Sequence, residues 1–225
     1  MSGQERSTTD QATDLLATDL ATDLATVLVH GLWMGPWAMR PLAGRLNAAH
    51  LPTARFGYTS RATPAANADR LADWLEQRPE PPRRFIAHSL GGILLAHLFD
   101  RHPGLLSPTT GVVLLGSPLA GSALAMHLAR RRLGRQLLAG SLDDGLDGKA
   151  PAWRAGNTLM IAGTRPIGPG RLVPGALHGT NDGTVAVDET RVPGLAAHEC
   201  LPVNHFGLLL SSQVARRCLA HLSPR

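Results

Sequence analysis

The chain has 225 residues, 44% apolar and 17% charged, which fits one globular domain with a sizeable core and excludes a disordered or fibrous chain. The formal charge is +5 with a pI near 10.5, but the positive charge is almost all Arg (Lys149 is the only Lys) and falls in short groups such as Arg83-Arg84 and Arg130-Arg131-Arg132. With no aromatic-interleaved basic stripe and no nucleic-acid motif, that charge speaks to solubility and not to a nucleic-acid partner.

Residues 1–24 stand apart. They repeat Thr-Asp-Leu at 13–15, 18–20 and 22–24 and carry five acids against one Arg. The composition reads as a low-complexity tail; the alternative is a short amphipathic helix with Leu16, Leu20 and Leu24 on one face. This N-terminus lacks the basic and then apolar order of a signal peptide, and no apolar run reaches the length of a membrane span. The expectation is a cytoplasmic protein without a transmembrane segment. Cys200 and Cys218 are too few for a disulfide framework and are expected as two buried thiols.

From Ala25 onward, short apolar runs alternate with helical stretches, giving a domain over 25–225. Strands are expected at Ala25–Leu32, Thr53–Tyr58, Arg84–His88, Gly111–Leu115, Thr158–Ala162 and Glu199–Val203. Helices are expected at Pro41–His50, Thr63–Arg78 (stopped by Pro79-Glu80-Pro81-Pro82), Leu90–Arg101, Leu119–Leu138 and Phe206–Leu222. The alternation predicts an α/β fold: a mostly parallel sheet of about six strands, covered by helices on both faces. Residues 118–152 fit either a small cap over the site or a solvated helix crossing the sheet, since an amphipathic pattern suits both. Ligands of such sheets bind outside the carboxyl ends of the strands, so the chemistry is sought in the loops there.

One such loop holds Phe85-Ile86-Ala87-His88-Ser89-Leu90-Gly91-Gly92, an apolar strand turning sharply into an apolar helix. A turn this tight lifts the serine hydroxyl above the sheet edge and needs small residues two before and two after it. Ala87 and Gly91 meet that need, although Gly is commoner at the first. Ser89 also opens a helix, where free N–H groups favour developing negative charge. A bare Gly-x-Ser-x-Gly-like string is weak evidence; the strand before it and the helix after it add weight. The structural alternative is an ordinary serine in a glycine turn. A hydroxyl nucleophile would further need a base and a carboxylate that orients the base.

Three further segments bear on this: His30-Gly31-Leu32-Trp33-Met34 after the first strand, Asn181-Asp182-Gly183-Thr184-Val185 late in a Gly/Pro-rich loop, and Asn204-His205-Phe206-Gly207 after the last strand. With the Ser89 turn they resemble the α/β-hydrolase superfamily over about residues 25–222, and within it the small lipase- and esterase-like enzymes. The resemblance implies an order of nucleophile, acid and base along the chain, hence Ser89, Asp182 and His205. Of the other histidines, His178 is the serious rival, and His88 is expected to point away from the nucleophile. An Asx turn is the structural alternative for Asp182, while Asp188 and Glu189 begin a stretch that looks exposed. The implied oxyanion donors are the N–H groups of Leu32 and Leu90, with Trp33 as the alternative to Leu32. His30 is expected to be structural. Trp33, Met34, His88 and Phe206 are expected to line the substrate pocket, and Trp37 is a further candidate. The implied activity is hydrolysis of a small-molecule or lipid-like carboxylic ester through an acyl-enzyme, without cofactor or metal. Thioesterase or acyltransferase chemistry would use the same three residues, and a non-catalytic binding module would need them broken.

Overall fold

The computed structural model describes residues 26–78 and 84–223. The repeats of residues 1–24 and the proline run at 79–82 lie outside the described residues. Six strands form one sheet: β1 (Thr26–Val29), β2 (Thr53–Phe56), β3 (Arg84–His88), β4 (Gly111–Leu115), β5 (Thr158–Gly163) and β6 (Ala197–Leu201). Their order is β2-β1-β3-β4-β5-β6 and every pairing is parallel. The helices are α1 (Arg40–Ala48), α2 (Pro64–Glu76), α3 (Leu90–Arg101), α4 (Ala123–Ala129), α5 (Arg132–Leu138), α6 (Gly207–Leu210) and α7 (Ser212–Leu222).

Parallel strands are covered on both faces, so they read as continuous apolar runs; β4 is buried at every residue. Side chains nevertheless alternate between two cores. Val27, Val29, Phe85, Ala87 and Leu114 face Leu71 and Leu75 of α2 and Ile93 and Leu94 of α3. Leu28, Ile86, Val113 and Leu115 face Leu42 and Leu46 of α1 and Val214 and Cys218 of α7. Each fully buried Leu, Ile, Val or Phe contributes about 1.5–3 kcal/mol. The strand order reverses between β1 and β3, and their carboxyl ends border the crevice where such sheets bind ligands.

Several boundaries differ from expectation. β1 ends at Val29, because His30–Leu32 leave the sheet as a loop. β6 lies two residues earlier than expected, at the sheet's edge. Its burial is patchy, so its apolar run did not mark its ends. The closing helix is split: Ser211 is extended (ψ 128°) and its side chain caps α7 by accepting from the N–H of Gln213 and Val214. The helix expected over Leu119–Leu138 is broken at Arg130-Arg131, with Arg131 extended (ψ 137°). The chain doubles back so tightly that a Cβ on Gly134 would lie 2.1 Å from the Leu128 carbonyl oxygen. Cys200 is exposed, contrary to expectation; Cys218 is buried and its thiol pKa is pushed up to about 12 by burial. No helix among the described residues is long and apolar enough to cross a membrane.

Candidate functional site

Ser89 sits between the last residue of β3 and the first of α3 with φ 54° and ψ −122°. A non-glycine residue held there stores backbone strain, of order 1–3 kcal/mol. The turn survives because its surroundings are fixed. The Ser89 N–H donates to the Leu115 carbonyl at 2.9 Å, and α3 presses against β1. A Cβ on Gly91 would lie 2.7 Å from the carbonyl oxygens of both Val29 and His30. Glycine two residues after the serine is therefore a packing requirement here, whereas the methyl of Ala87 is accommodated in the core.

Asp182 and His205 come together from two different loops. The Asp182 carboxylate accepts from His205 Nδ1 at 2.6 Å through one oxygen. Its other oxygen accepts from the N–H groups of Thr184 and Val185, at 2.9 and 2.7 Å. The His205 N–H donates to the Asp182 carbonyl at 3.0 Å, tying the two loops by backbone as well. Both residues are almost wholly buried. Both carboxylate oxygens of Asp182 are thus occupied, one of them by Nδ1 of the His205 ring. The Asx-turn alternative is thus also real: the same carboxylate closes the turn and holds the imidazole.

Two glycines make this approach fit. A Cβ on Gly116, which has φ +58°, would lie 3.2 Å from Asp182 Oδ2 and 3.3 Å from His205 Cε1. A Cβ on Gly163 would lie 2.5 Å from the Val203 carbonyl oxygen and 2.7 Å from Asp182 Cβ. Sequence reasoning found neither, since nothing local distinguishes them from turn glycines.

Ser89 and His205 both line a cavity of about 270 Å3. No hydrogen bond joins their side chains among the described residues. The cavity wall includes Leu32, Met34, Leu124, Leu128, Leu138 and Phe206, and it is overwhelmingly apolar. Further members of the wall come from α4, α5 and the turn after them, within residues 118–152. Trp33, Met34, His88 and Phe206 line the cavity, whereas Trp37 does not and is 63% exposed. His178 is exposed and lines no part of it.

The loop after β1 approaches Ser89 closely: a Cβ on Gly31 would sit 3.0 Å from Ser89 Cβ and 2.9 Å from His88 Nδ1. Neither the Leu32 N–H nor the Leu90 N–H has an acceptor among the described residues. The Trp33 N–H, by contrast, donates to Ser60 Oγ at 3.1 Å. The ring of His30 is bonded within its own loop and to Tyr58. Its ring stacks on Tyr58 at 4.2 Å, its Nδ1 is 2.9 Å from the Gly31 carbonyl, and the Tyr58 hydroxyl donates to its own carbonyl at 2.8 Å. Burial lowers the His30 pKa and raises that of Tyr58.

Two expectations are corrected. His88 does not point away from the site: it is fully buried, its ring lies 4.6 Å from that of His205, and its Nε2 is 3.1 Å from the His205 carbonyl oxygen. Burial first, and then the nearby His205, holds its pKa well below the usual value, so the ring is neutral and donates to that carbonyl. Glu189 is not a free surface acid. It is half-buried, and its carboxylate accepts from the N–H of Ala123 at 2.5 Å and of Ala186 at 2.8 Å, joining the start of α4 to the Asp182 loop. Burial raises its pKa.

Comparison with known proteins agrees with this architecture. The lipase BlEst2 of Bacillus licheniformis, in its mature form, superposes with a TM-score of 0.70 at 19% identity, covering 90% of this chain and 94% of that one. The metagenomic carboxyl esterase MGS0156 gives 0.64 at 16%, covering 88% and 73%. The NocB thioesterase domain, solved as a covalent complex with a fluorophosphonate nocardicin G analog, gives 0.58 at 18%, covering 92% and 97%. No curated protein sequence matches the chain. At these identities the structural likenesses establish the fold, and a family profile described as the alpha/beta hydrolase family matches residues 26–216. A match of that extent, on a parallel sheet with a strained strand-to-helix serine at its switch point, identifies the chain as a member of the α/β-hydrolase family.

Proposed function

We propose that this protein is a serine hydrolase that cleaves carboxylic esters of apolar acyl groups through an acyl-enzyme. The observation that carries the reading is that Ser89 and His205 line one apolar cavity, with buried Asp182 behind them bonded to His205 Nδ1 at 2.6 Å. That bond fixes the tautomer that leaves Nε2 free to accept a proton.

In this reading His205 takes the Ser89 proton as the hydroxyl attacks the acyl carbonyl. The serine–base hydrogen bond forms when substrate is bound, since such bonds are often long or misaligned in the free enzyme. The carbonyl oxygen, now negative, lies against the unpaired N–H groups of Leu32 and Leu90. A preorganised donor of this kind contributes on the order of 10²–10³ in rate. The C–O bond to the alcohol breaks and the alcohol leaves with the proton from His205. A water, deprotonated by His205, then releases the acid and restores Ser89. Trp33, Met34, Phe206 and the leucines of the cap would hold the acyl chain.

A panel of p-nitrophenyl esters and acyl-CoA thioesters, run on the native protein and on Ser89→Ala, tests this. Ester hydrolysis that vanishes in Ser89→Ala is the expected result. Turnover of thioesters alone would reassign the leaving group, and equal rates in both proteins would end the serine mechanism.

A further inference from the structure

The described residues include nine large apolar side chains that are substantially exposed. All nine lie on the connections that follow β1, β4, β5 and β6 at the strands' carboxyl ends. None lies on α1, α2, α3 or α7. Trp33 (58% exposed), Leu172 (84%) and Phe206 (49%) also line the cavity, so they form its mouth. Trp33 Nε1 donates to the Leu137 carbonyl at 3.0 Å, which sets exposed Leu137 beside it, and exposed Leu133 lies one helical turn earlier on α5. Exposed apolar surface gathered in this way marks a contact site.

The segments of these connections that carry the exposed apolar residues, 30–37, 118–138, 164–187 and 202–210, contain six Arg and one acid, Asp182, which is buried against His205; the acids Asp143, Asp144, Asp147, Asp188 and Glu189 lie on the remaining parts. Arg130 and Arg135 share a shallow depression with Asp143 and Asp147. Arg131, Arg132, Arg165 and Arg171 are exposed and have no ion-pair partner among the described residues. An apolar rim with unpaired Arg beside it complements an anionic amphiphile surface. Trp33 and the neighbouring exposed Trp37 suit the polar–apolar boundary of a lipid layer. The rim also comes from four separate connections, and is not the single groove that one peptide helix would fill.

We propose that this end of the molecule docks on an anionic lipid surface, bringing the cavity mouth against the layer that holds its acyl substrate. The proposal rests on the acyl-ester reading of the cavity.

Vesicle flotation of the full chain, including the acids of residues 1–24, tests it. Vesicles of phosphatidylcholine alone are compared with vesicles carrying about a third phosphatidylglycerol. Each cation near such a surface raises partitioning about fivefold. The native protein is expected to bind the anionic vesicles at least tenfold more tightly than the neutral ones. The triple variant Arg131→Glu/Arg132→Glu/Arg171→Glu should lose at least about a hundredfold of that binding, and Leu133→Glu should also weaken it. Both variants should keep the native urea midpoint and the native rate on a soluble short-chain ester. Equal partitioning to both vesicle types, unchanged binding by the triple variant, or no flotation would overturn the proposal. So would tighter binding to a holo acyl carrier protein than to vesicles. Flotation without hydrolysis of any ester would defeat the acyl-ester reading and leave the docking surface standing. Hydrolysis without flotation would defeat the docking alone.

Discussion

Gly163→Ala separates positioning from folding. Gly163 ends β5, and its missing side chain lets the acid loop and the base loop meet. An added Cβ would lie 2.5 Å from the Val203 carbonyl oxygen and 2.7 Å from Asp182 Cβ. Carbon–oxygen contacts close near about 3.3 Å and carbon–carbon contacts near about 3.5–4.0 Å, so each side must yield by about 0.8 Å. Neither atom can swing away, since one belongs to the backbone and the other is bonded directly to it. Overpacking of this kind costs about 1–3 kcal/mol. The larger effect falls on the Asp182–His205 bond of 2.6 Å, because a misplacement of about 1 Å costs on the order of 100-fold in rate. Hydrolysis of p-nitrophenyl butyrate should therefore drop about 100-fold, mostly in kcat, with the urea midpoint only modestly lowered. Gly44→Ala is the matched control: nothing lies within 4 Å of its Cβ position on α1, and it should gain up to about 1 kcal/mol of stability at native activity. A Gly163→Ala protein with kcat within twofold of native would refute the reasoning.

Asp182→Asn keeps an acceptor for the N–H groups of Thr184 and Val185 but no longer enforces the His205 tautomer; kcat should fall by about 10⁴ with little loss of stability. Tyr58→Phe removes the donor to the His30 carbonyl and should cost about 1 kcal/mol in urea unfolding, together with a several-fold loss of kcat as the loop bearing Leu32 loosens. Acid sensitivity follows from His88, whose burial holds its folded pKa well below 6.5. Below about pH 6.5 the unfolded chain binds a proton there and the folded chain does not. Stability is therefore full above that pH and falls by up to about 1.4 kcal/mol per pH unit on acidification, until the folded pKa is reached. His88→Asn should flatten the dependence between pH 7 and 5; buried His30 acts in the same direction and leaves a residual slope. An unchanged slope in the variant would exclude His88 as its source.

The sheet was legible in the sequence because parallel strands buried on both faces read as uninterrupted apolar runs, as Gly111–Leu115 does. β6 was placed two residues late because an edge strand with patchy burial carries no such run. The break between α4 and α5 was hidden because Arg130 and Arg131 favour a helix locally, and only the packing of Gly134 on Leu128 forces the turn. The Ser89 turn was legible because its strain demands small neighbours at fixed offsets. Loop position picked out Asp182 and His205, which the structure brings into contact. The second ties were not readable. Tyr58 reaches His30 across 28 residues and Glu189 reaches the Ala123 N–H across 66. The three-residue Arg run read as scattered charge because only the fold sets it on the same connection as the exposed Leu133 and Leu137.

The most direct test of the central claim is covalent labelling of the native protein by a fluorophosphonate probe, read by intact mass and peptide mapping. The account predicts one adduct, on Ser89, formed rapidly by the native protein, slowly by His205→Ala and not at all by Ser89→Ala. A folded native protein that stays unlabelled, or an adduct that persists in Ser89→Ala, would contradict it.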